Sequence, residues 1–486
     1  MFTKIFRKIH QVLGLLLSIL FLMWFISGIV MIYHSFPKVS PKLKSEKQEV
    51  LLVNLPSVDS LLQVLPDSVK LRGLSVDMLL DRPVFHLRGK ELPAEFYADS
   101  LQVVEKPDFQ MICRTAVQLC GTAAFNVDTL YRLDQWIPFG YLKKEFPIYK
   151  FTFSDPAKHQ LYVSSKSGKA LQLTDRNSRF WAWFGAIPHW VYFTSLRENQ
   201  EVWINFMIWS SALGAVMCLT GLWVGVWVFY RNRKNGLRSP YKKWWYRWHH
   251  ISGMIFGLFA LTFVFSGMMS LVDVPTWMQK GKQDAPKIRF RGREGDMLPP
   301  DRYVLDYRQI VEQMEGVKSI EWSSFGRHPY YVVNTATEKV NIDATDSARL
   351  QPFRPMEDDV RQTITRIHGR EAKYTVEWMN EFDEDYYSRR GMLTLPVYKV
   401  VVEDELHTRH YFNPETLYHR QIDDNGRLRG VLYSGLHSLN FKCLTDHPVL
   451  WNIVMYALML GGTFLSLSGV VLTLKWLGRL IKKRFK

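Results

Sequence analysis

Fourteen histidines punctuate the chain, and four of them recur as two pairs. His10 and His249 stand 239 residues apart and carry the same sequel: Gly14 answers to Gly253, Leu22 to Leu261 and Ser27-Gly28 to Ser266-Gly267. His189 and His437 stand 248 apart, followed in step by Phe193 and Phe441, Trp203 and Trp451, Met207 and Met455, and Gly221 and Gly469. A neutral imidazole is a good axial ligand for haem iron. Two imidazoles facing each other from separate helices hold a b-type haem in a bundle core, where helices build cofactor sites. Residues related by a pseudo-twofold lie across its axis from each other, so each repeated histidine is expected to meet its own counterpart. The expectation is therefore two haems b, one on His10 and His249, the other on His189 and His437. Gly14, Gly253, Gly28 and Gly267 are small enough to admit a flat macrocycle or, in the plainer reading, a closely packed helix.

Other histidines compete for these roles. His250 follows His249, but Gln11 occupies its counterpart position. Adjacent helical residues point about 100° apart, so only one of the two faces the axis, and His249 is the choice. His34 answers to Asp273 and is an alternative outer ligand in place of His189 or His437. His86, His159, His328, His368, His407, His410 and His419 are not repeated and are expected at the surface, and His447 has no support as a ligand either. No Cys-x-x-Cys-His occurs, which excludes covalently attached haem. The acids Glu381, Asp383, Glu384 and Asp385 read first as a solvated loop and second as hard oxygen ligands for Fe³⁺. Cys113 and Cys120, if helical, lie about 10 Å apart along the axis, too far to bridge. There is no Gly-rich phosphate loop, no flavin or nicotinamide fingerprint, no metalloprotease His-Glu-x-x-His and no nucleophile elbow. An electron donor must then be another molecule.

The elements that would position the histidines follow from charge and hydropathy. The net charge of +16 is confined to three acid-free patches with three, seven and six basic residues: 1–10, 231–247 and 475–486. A basic excess placed this way does not describe a nucleic-acid surface. Each patch abuts an uncharged apolar run, Val12–Tyr33, Val202–Tyr230, Ile251–Val272 or Val449–Leu474, long enough to cross a ~30 Å hydrocarbon core. Short basic segments stay in the cytoplasm. The expected layout has a cytoplasmic start at 1–11 and spans at 12–33, 202–230, 251–272 and 449–474. A cytoplasmic loop at 231–250 and a tail at 475–486 complete the inner side, with outer segments at 34–201 and 273–448. The first run is too long, and lacks a small-x-small site, to be a cleaved signal peptide. The basic loop, with Trp244, Trp245 and Trp248, suits an anionic leaflet at about 1 kcal/mol per basic residue.

Correspondences at a shift of 249 run through the outer segments as well: Pro147 and Pro396, Tyr149-Lys150 and Tyr398-Lys399, Asp155 and Asp404, Tyr162 and Tyr411. The chain thus reads as a parallel duplication of a helix–domain–helix unit. The outer segments read as small α+β modules, two in each. Helices are expected at Ser57–Leu65, Val304–Met314 and Glu357–His368. Strands are expected at Pro83–Arg88, Ala94–Tyr97, Ile148–Phe153, Tyr330–Asn334, Lys339–Ile342, Thr375–Trp378 and Val397–Val402. Cys218 falls in a span and reads as packing.

With these residues in view, the chain resembles the PepSY-associated transmembrane proteins, also called iron-regulated membrane proteins. The resemblance rests on Arg7-Lys8-Ile9-His10-Gln11-Val12-Leu13-Gly14, Ser27-Gly28 and Trp248-His249-His250-Ile251-Ser252-Gly253. It extends to the Trp203…Thr220-Gly221 and Trp451…Ser468-Gly469 helices, and so covers essentially the whole chain. It implies a four-helix bundle in the bacterial inner membrane, both termini cytoplasmic, carrying two PepSY-like periplasmic domains. Some members are haem-containing ferric-siderophore reductases, which pass electrons from a cytoplasmic donor to periplasmic iron. Carried over, His10, His249, His189 and His437 become haem ligands and a ferric chelate or siderophore the acceptor. The rival reading is a non-redox protein whose spans anchor outer domains that bind or regulate a periplasmic partner; a third is a haem reductase for another acceptor.

Overall fold

The computed structural model describes residues 2–40, 43, 46–66, 71–89, 95–233, 239–281, 297–389 and 391–484. Of the basic residues counted above, Lys234, Arg238 and Lys486 lie outside that set, as does Ala94 at the start of an expected strand. In chain order the elements are α1 (Phe2–Met31), α2 (Val58–Gln63), β1 (Gly73–Leu79), β2 (Arg82–Arg88), β3 (Glu95–Tyr97), α3 (Phe109–Cys120) and β4 (Phe125–Leu130). Then come β5 (Ile148–Phe153), β6 (Gln160–Ser164), β7 (Ala170–Thr174), α4 (Arg176–Phe184), α5 (Ala186–Trp190), α6 (Gln200–Asn232) and α7 (Trp244–Met269). The second outer segment holds α8 (Tyr307–Gln313), β8 (Val317–Phe325), β9 (His328–Thr335), β10 (Lys339–Asp343), α9 (Glu357–His368), β11 (Tyr374–Met379), β12 (Val397–Val402), β13 (Arg409–Phe412) and β14 (His419–Ile422). It closes with α10 (Asp424–Gly430), a single π turn, α11 (Leu436–Ser438), a one-turn helix at Lys442–Thr445 and α12 (Pro448–Arg484).

Four helices, α1, α6, α7 and α12, are long and apolar enough to cross a membrane. Most of their side chains face outward: Leu16, Ile19, Leu213, Leu219, Ile255, Leu258, Ile453 and Leu460 are all exposed, the pattern of a bundle solvated by lipid. The helices overrun the apolar stretches. α1 begins at Phe2, and so includes Lys4, Arg7 and Lys8, and α12 continues past Leu474 to Arg484. Long basic side chains at the ends of a span can reach the headgroup layer without carrying charge into hydrocarbon. α1 and α7 each pack on α6 and α12. Gly214 lets Phe21 in, and Gly462 lets Phe25 in, where a Cβ would stand 2.8 and 2.3 Å from the rings.

The outer segments do not form two separate modules each. β1–β3 of the first and β8–β10 of the second join in one six-stranded sheet, ordered β10-β9-β8-β1-β2-β3. The seam is antiparallel, with Ser75, Val76 and Asp77 opposite Glu321, Ile320 and Ser319. One core backs the sheet across the seam, with Leu61, Val76, Phe85, Leu305, Ile310, Ile320 and Trp322 all at 2% exposure or less. The remaining strands form two four-stranded meanders, β4-β5-β6-β7 and β11-β12-β13-β14. Both bury an acid–lysine–tyrosine contact at matching positions. Asp134 accepts from Lys150 and Tyr162 at 3.2 and 2.7 Å, and Asp383 from Lys399 and Tyr411 at 3.0 and 2.9 Å.

Candidate functional site

Two histidine pairs sit at opposite ends of the bundle. His10 on α1 and His249 on α7 face each other with ring centroids 6.1 Å apart and planes at 42°. His189 on α5 and His437 on α11 do the same at 6.1 Å and 57°. His10 and Ser27, a contact of His189, are separated by 17 residues of one unbroken helix, about 25 Å at about 1.5 Å per residue. The pairs therefore lie near the two faces of a ~30 Å apolar core. Between them the bundle is filled by Phe21, Phe25, Met217, Val264, Met455 and Met459, with Phe259 and Phe263 packed alongside.

The outer histidines come from short helices that cap the bundle. α5 and α11 each end on a residue in left-handed backbone, Val191 at φ 51° and Leu439 at φ 50°. For side chains with a Cβ that conformation costs about 1–2 kcal/mol. Two tryptophans from the following spans hold these turns. Trp203 Nε1 donates to the Trp190 carbonyl at 2.7 Å and Trp451 Nε1 to the Ser438 carbonyl at 3.1 Å. Each acceptor is the residue after the histidine, so the indole fixes the height at which the imidazole enters.

All four rings are tied at Nδ1. His10 Nδ1 donates to the Met217 carbonyl at 2.9 Å. His249 Nδ1 lies 2.8 Å from Ser468 Oγ, whose own proton goes to the Leu465 carbonyl. His189 Nδ1 meets the Trp24 carbonyl and Ser27 Oγ, both at 3.3 Å, and His437 Nδ1 meets the Phe263 carbonyl and Ser266 Oγ, both at 3.2 Å. Ser27 and Ser266 also spend their protons on backbone carbonyls. Each Nδ1 must then carry the ring's proton, which leaves the lone pair on Nε2, on the opposite side of the ring. Among the described residues no hydrogen bond takes up those four Nε2 atoms. Burial, and the neighbouring His437, push His189 down to about 4, so it is neutral at physiological pH.

A glycine underlies every one of these rings. A Cβ on Gly221 would stand 2.6 Å from His10 Cε1, and one on Gly469 3.7 Å from His249 Cε1. On Gly28 and Gly267 it would stand 3.5 Å from His189 Cε1 and His437 Cε1 respectively. Two of these four, Gly28 and Gly267, were expected near a ligand. At Gly14 a Cβ would meet nothing within 4 Å, and at Gly253 only Leu465 at 3.7 Å.

The other expected residues take different places. His250 uses both nitrogens, on Ser239 Oγ at 3.1 Å and the Gly225 carbonyl at 3.2 Å. His34 stacks flat on Trp181, 4.4 Å away with planes 2° apart, and does not join the outer pair. In the acidic loop, Asp383 is engaged with Lys399 and Tyr411, and Asp385, 6% exposed, with Arg409 and Arg427. Burial opposes ionisation of Asp383, but Lys399, Tyr411 and two backbone N–H groups outweigh it and lower its pKa. This loop is an ion-pair network inside the second meander. The expectation that the unrepeated histidines lie at the surface fails for His410 and His419, which are 0% and 8% exposed. Cys113 and Cys120 lie along α3, both as free thiols. Among the described residues, no group of three or more His, Cys, Asp or Glu is arranged to hold a metal ion. A haem iron asks less of the protein, two axial nitrogens, and the two pairs have that number. No protein-family model matches the chain, and no curated protein matches it in sequence.

Proposed function

We propose that this chain is a haem-holding membrane protein that moves electrons across the bilayer, built by duplication of one helix–domain–helix unit. The observation that carries the reading is the spacing of the paired rings. An imidazole nitrogen lies about 1.1 Å from its ring centre, so rings with centroids 6.1 Å apart would stand about 4 Å apart nitrogen to nitrogen once those nitrogens are turned toward each other. That equals two metal–imidazole bonds of about 2.0 Å each. The same spacing recurs at both ends of the bundle, with the same tautomer at all four rings.

His10 and His249 would hold the inner haem b, His189 and His437 the outer one. Haem supplies one-electron chemistry. The chain's own residues supply the rest. The Nδ1 contacts fix tautomer and ring direction and raise the basicity of Nε2. Glycines admit the rings, and the aromatic fill between the pairs excludes water and charge. Two sites suit the task because one alone would leave much of a ~30 Å core uncrossed.

The wider reading follows the resemblance to PepSY-associated membrane proteins. The basic patches mark the cytoplasmic side of a bacterial inner membrane, with both termini inside and the sheet domains in the periplasm. Electrons enter from a cytoplasmic-side donor and leave to ferric iron held in a chelate such as a siderophore. A reduced-minus-oxidised absorption spectrum of the purified protein, with haem quantified per chain, tests this directly. A b-type signal at two haems per chain is expected. A folded, colourless protein that takes up no added haem would instead favour an anchor for periplasmic binding domains.

A further inference from the structure

The second meander contains three buried or half-buried histidines at positions where the first has other residues. His368 ends α9, His410 lies on β13 and His419 on β14. His368 Nε2 and His410 Nε2 are 2.9 Å apart, and His410 Nδ1 and His419 Nε2 are 3.0 Å apart. The strand registers give the matching positions in the first meander. Phe151 faces Leu161 as Val400 faces His410, and Val163 faces Ala170 as Phe412 faces His419. On the covering helix, the buried Ile112 and Ala116 match Val360 and Ile364, which sets Cys120 against His368. Cys120, Leu161 and Ala170 are thus replaced by three imidazoles in the layer between helix and sheet.

A metal site does not follow, because His410 directs its two nitrogens at different rings. Proton counting shows what the row does instead. Three neutral imidazoles carry three N–H groups. Two fill the N···N contacts and the third sits on an outer nitrogen at one end. One added proton fits on the other outer nitrogen, at the cost of a buried charge. A second must enter an N···N contact, leaving two donors face to face and abolishing the bond.

We propose that this histidine row is an acid-sensitive latch holding α9 to the second meander. Around it α9 contributes Val360 and Ile364 to a core shared with Val400, Val402 and Phe412 of the meander and Phe325, Tyr330 and Val332 of the six-stranded sheet. Release of α9 therefore also loosens the meander from the sheet.

Among the described residues, the charged groups around the row are mostly paired with one another. On α9, Arg361 pairs with Glu357, and Arg366 reaches the Gly326 carbonyl. Tyr374 of β11 bonds Thr365 and the Arg361 carbonyl. His328 of β9 pairs with Asp343. Lys399 of β12 and Arg409 of β13 pair with Asp383 and Asp385. Asp404, in the β12–β13 turn, favours the charged form of His368, but burial outweighs it and lowers that pKa. Burial, with the neighbouring imidazoles, pushes His410 down to about 2, and burial pushes His419 down to about 3. Folded pKa values below the free value of 6.5 mean that the latch is intact above pH 6.5 and is progressively lost as pH falls toward 3.

Hydrogen exchange of the full-length protein in lipid nanodiscs, read by mass spectrometry at pH 7.5 and 5.0, tests the latch. Peptides covering 357–368 and 409–422 are compared at each pH with 109–120 and 160–174, so the intrinsic pH effect on exchange cancels. At pH 5.0 a freed histidine of pKa 6.5 is protonated about thirtyfold over its neutral form. The relative exchange of the second-segment peptides should rise about thirtyfold for each histidine that opening exposes. The combined variant His368→Cys, His410→Leu and His419→Ala, which installs the first-segment residues, should remove the pH dependence. An unchanged ratio in the wild-type protein would overturn the proposal, even if the variant failed to fold. So would saturable protection of the same peptides by Zn²⁺ at pH 7.5, which would make the row a metal site.

Discussion

Gly221→Ala offers the sharpest test of the inner histidine pair. The new Cβ would stand 2.6 Å from His10 Cε1 and 2.8 Å from His10 Nδ1. Carbon atoms rest at about 3.5–4.0 Å, so the ring must withdraw by about 1 Å or break its bond to the Met217 carbonyl. A metal–imidazole bond holds to within about 0.2 Å, so a shift of 1 Å removes the axial ligand. Gly469→Ala is the matched control: its Cβ would stand 3.7 Å from His249 Cε1, an ordinary contact. Alanine improves helix propensity over glycine by about 1 kcal/mol at both positions. A selective loss at Gly221 therefore cannot be assigned to a weakened helix. The assay is titration of haem-depleted protein with haemin, followed through the low-spin absorption band. Gly221→Ala should bind one low-spin haem where the wild type and Gly469→Ala bind two. Two low-spin haems in Gly221→Ala, or a loss confined to Gly469→Ala, would refute the assignment of His10.

His249→Ala should abolish the inner haem signal, while His250→Ala should leave both haems in place, since His250 spends its nitrogens on Ser239 and Gly225; the reverse outcome would exchange the ligand. His86 bridges Asp77 and Glu95 at 2.8 and 3.2 Å, and these carboxylates overcome burial to raise its pKa to about 9. Its contribution is full below pH 6.5 and lost as pH rises through 9. Thermal melts should therefore show about 1–2 kcal/mol of stability, discounted for solvent access, disappearing between those limits, and Asp77→Asn should flatten that loss. For orientation, a membrane-impermeant maleimide should label the exposed Cys443 in intact spheroplasts. A cysteine placed at Gly478 in a background with Cys113, Cys120 and Cys443 changed to serine should react only after lysis.

The spans were legible because hydrocarbon imposes one requirement, about 20 uncharged residues, that the runs at Val12, Val202, Ile251 and Val449 meet outright. The histidine pairs were legible because their spacing repeats together with that of Gly14, Ser27, Trp203 and Met207. What positions the rings was not. Gly221 and Gly469 appeared as matched residues, but their approach to His10 and His249 comes from neighbouring helices. The Nδ1 acceptors are mainly backbone carbonyls, which every residue has. His34 pairs with Trp181 across the outer segment, a contact with no sequence signal. His410 and His419 lacked counterparts and so suggested surface residues. Yet His410 shares its strand face with Phe412 while Tyr411 points to the other face, and both faces are buried: Tyr411 against Tyr386 and Val397, Phe412 against Val360 and Ile364 of α9. The strand halves of the two outer segments each read as self-sufficient modules; nothing local foretells that β1 pairs with a strand some 240 residues away.

That pairing has a consequence for how such a chain could have arisen. β1 has β2 on one side and β8 on the other. A half-length protein ending after α6 would present β1 as a bare edge, and bare edges recruit partners. The seam is antiparallel and centred on Val76 against Ile320, the geometry by which two identical strands pair about a twofold. On the duplication proposed above, a single-unit forebear would have been a homodimer, with one sheet shared between subunits and both histidine pairs assembled from two copies. Fusion of its genes would have made that contact permanent while freeing each half to diverge. Residues 1–233 expressed alone should recover the older state, sedimenting as a dimer.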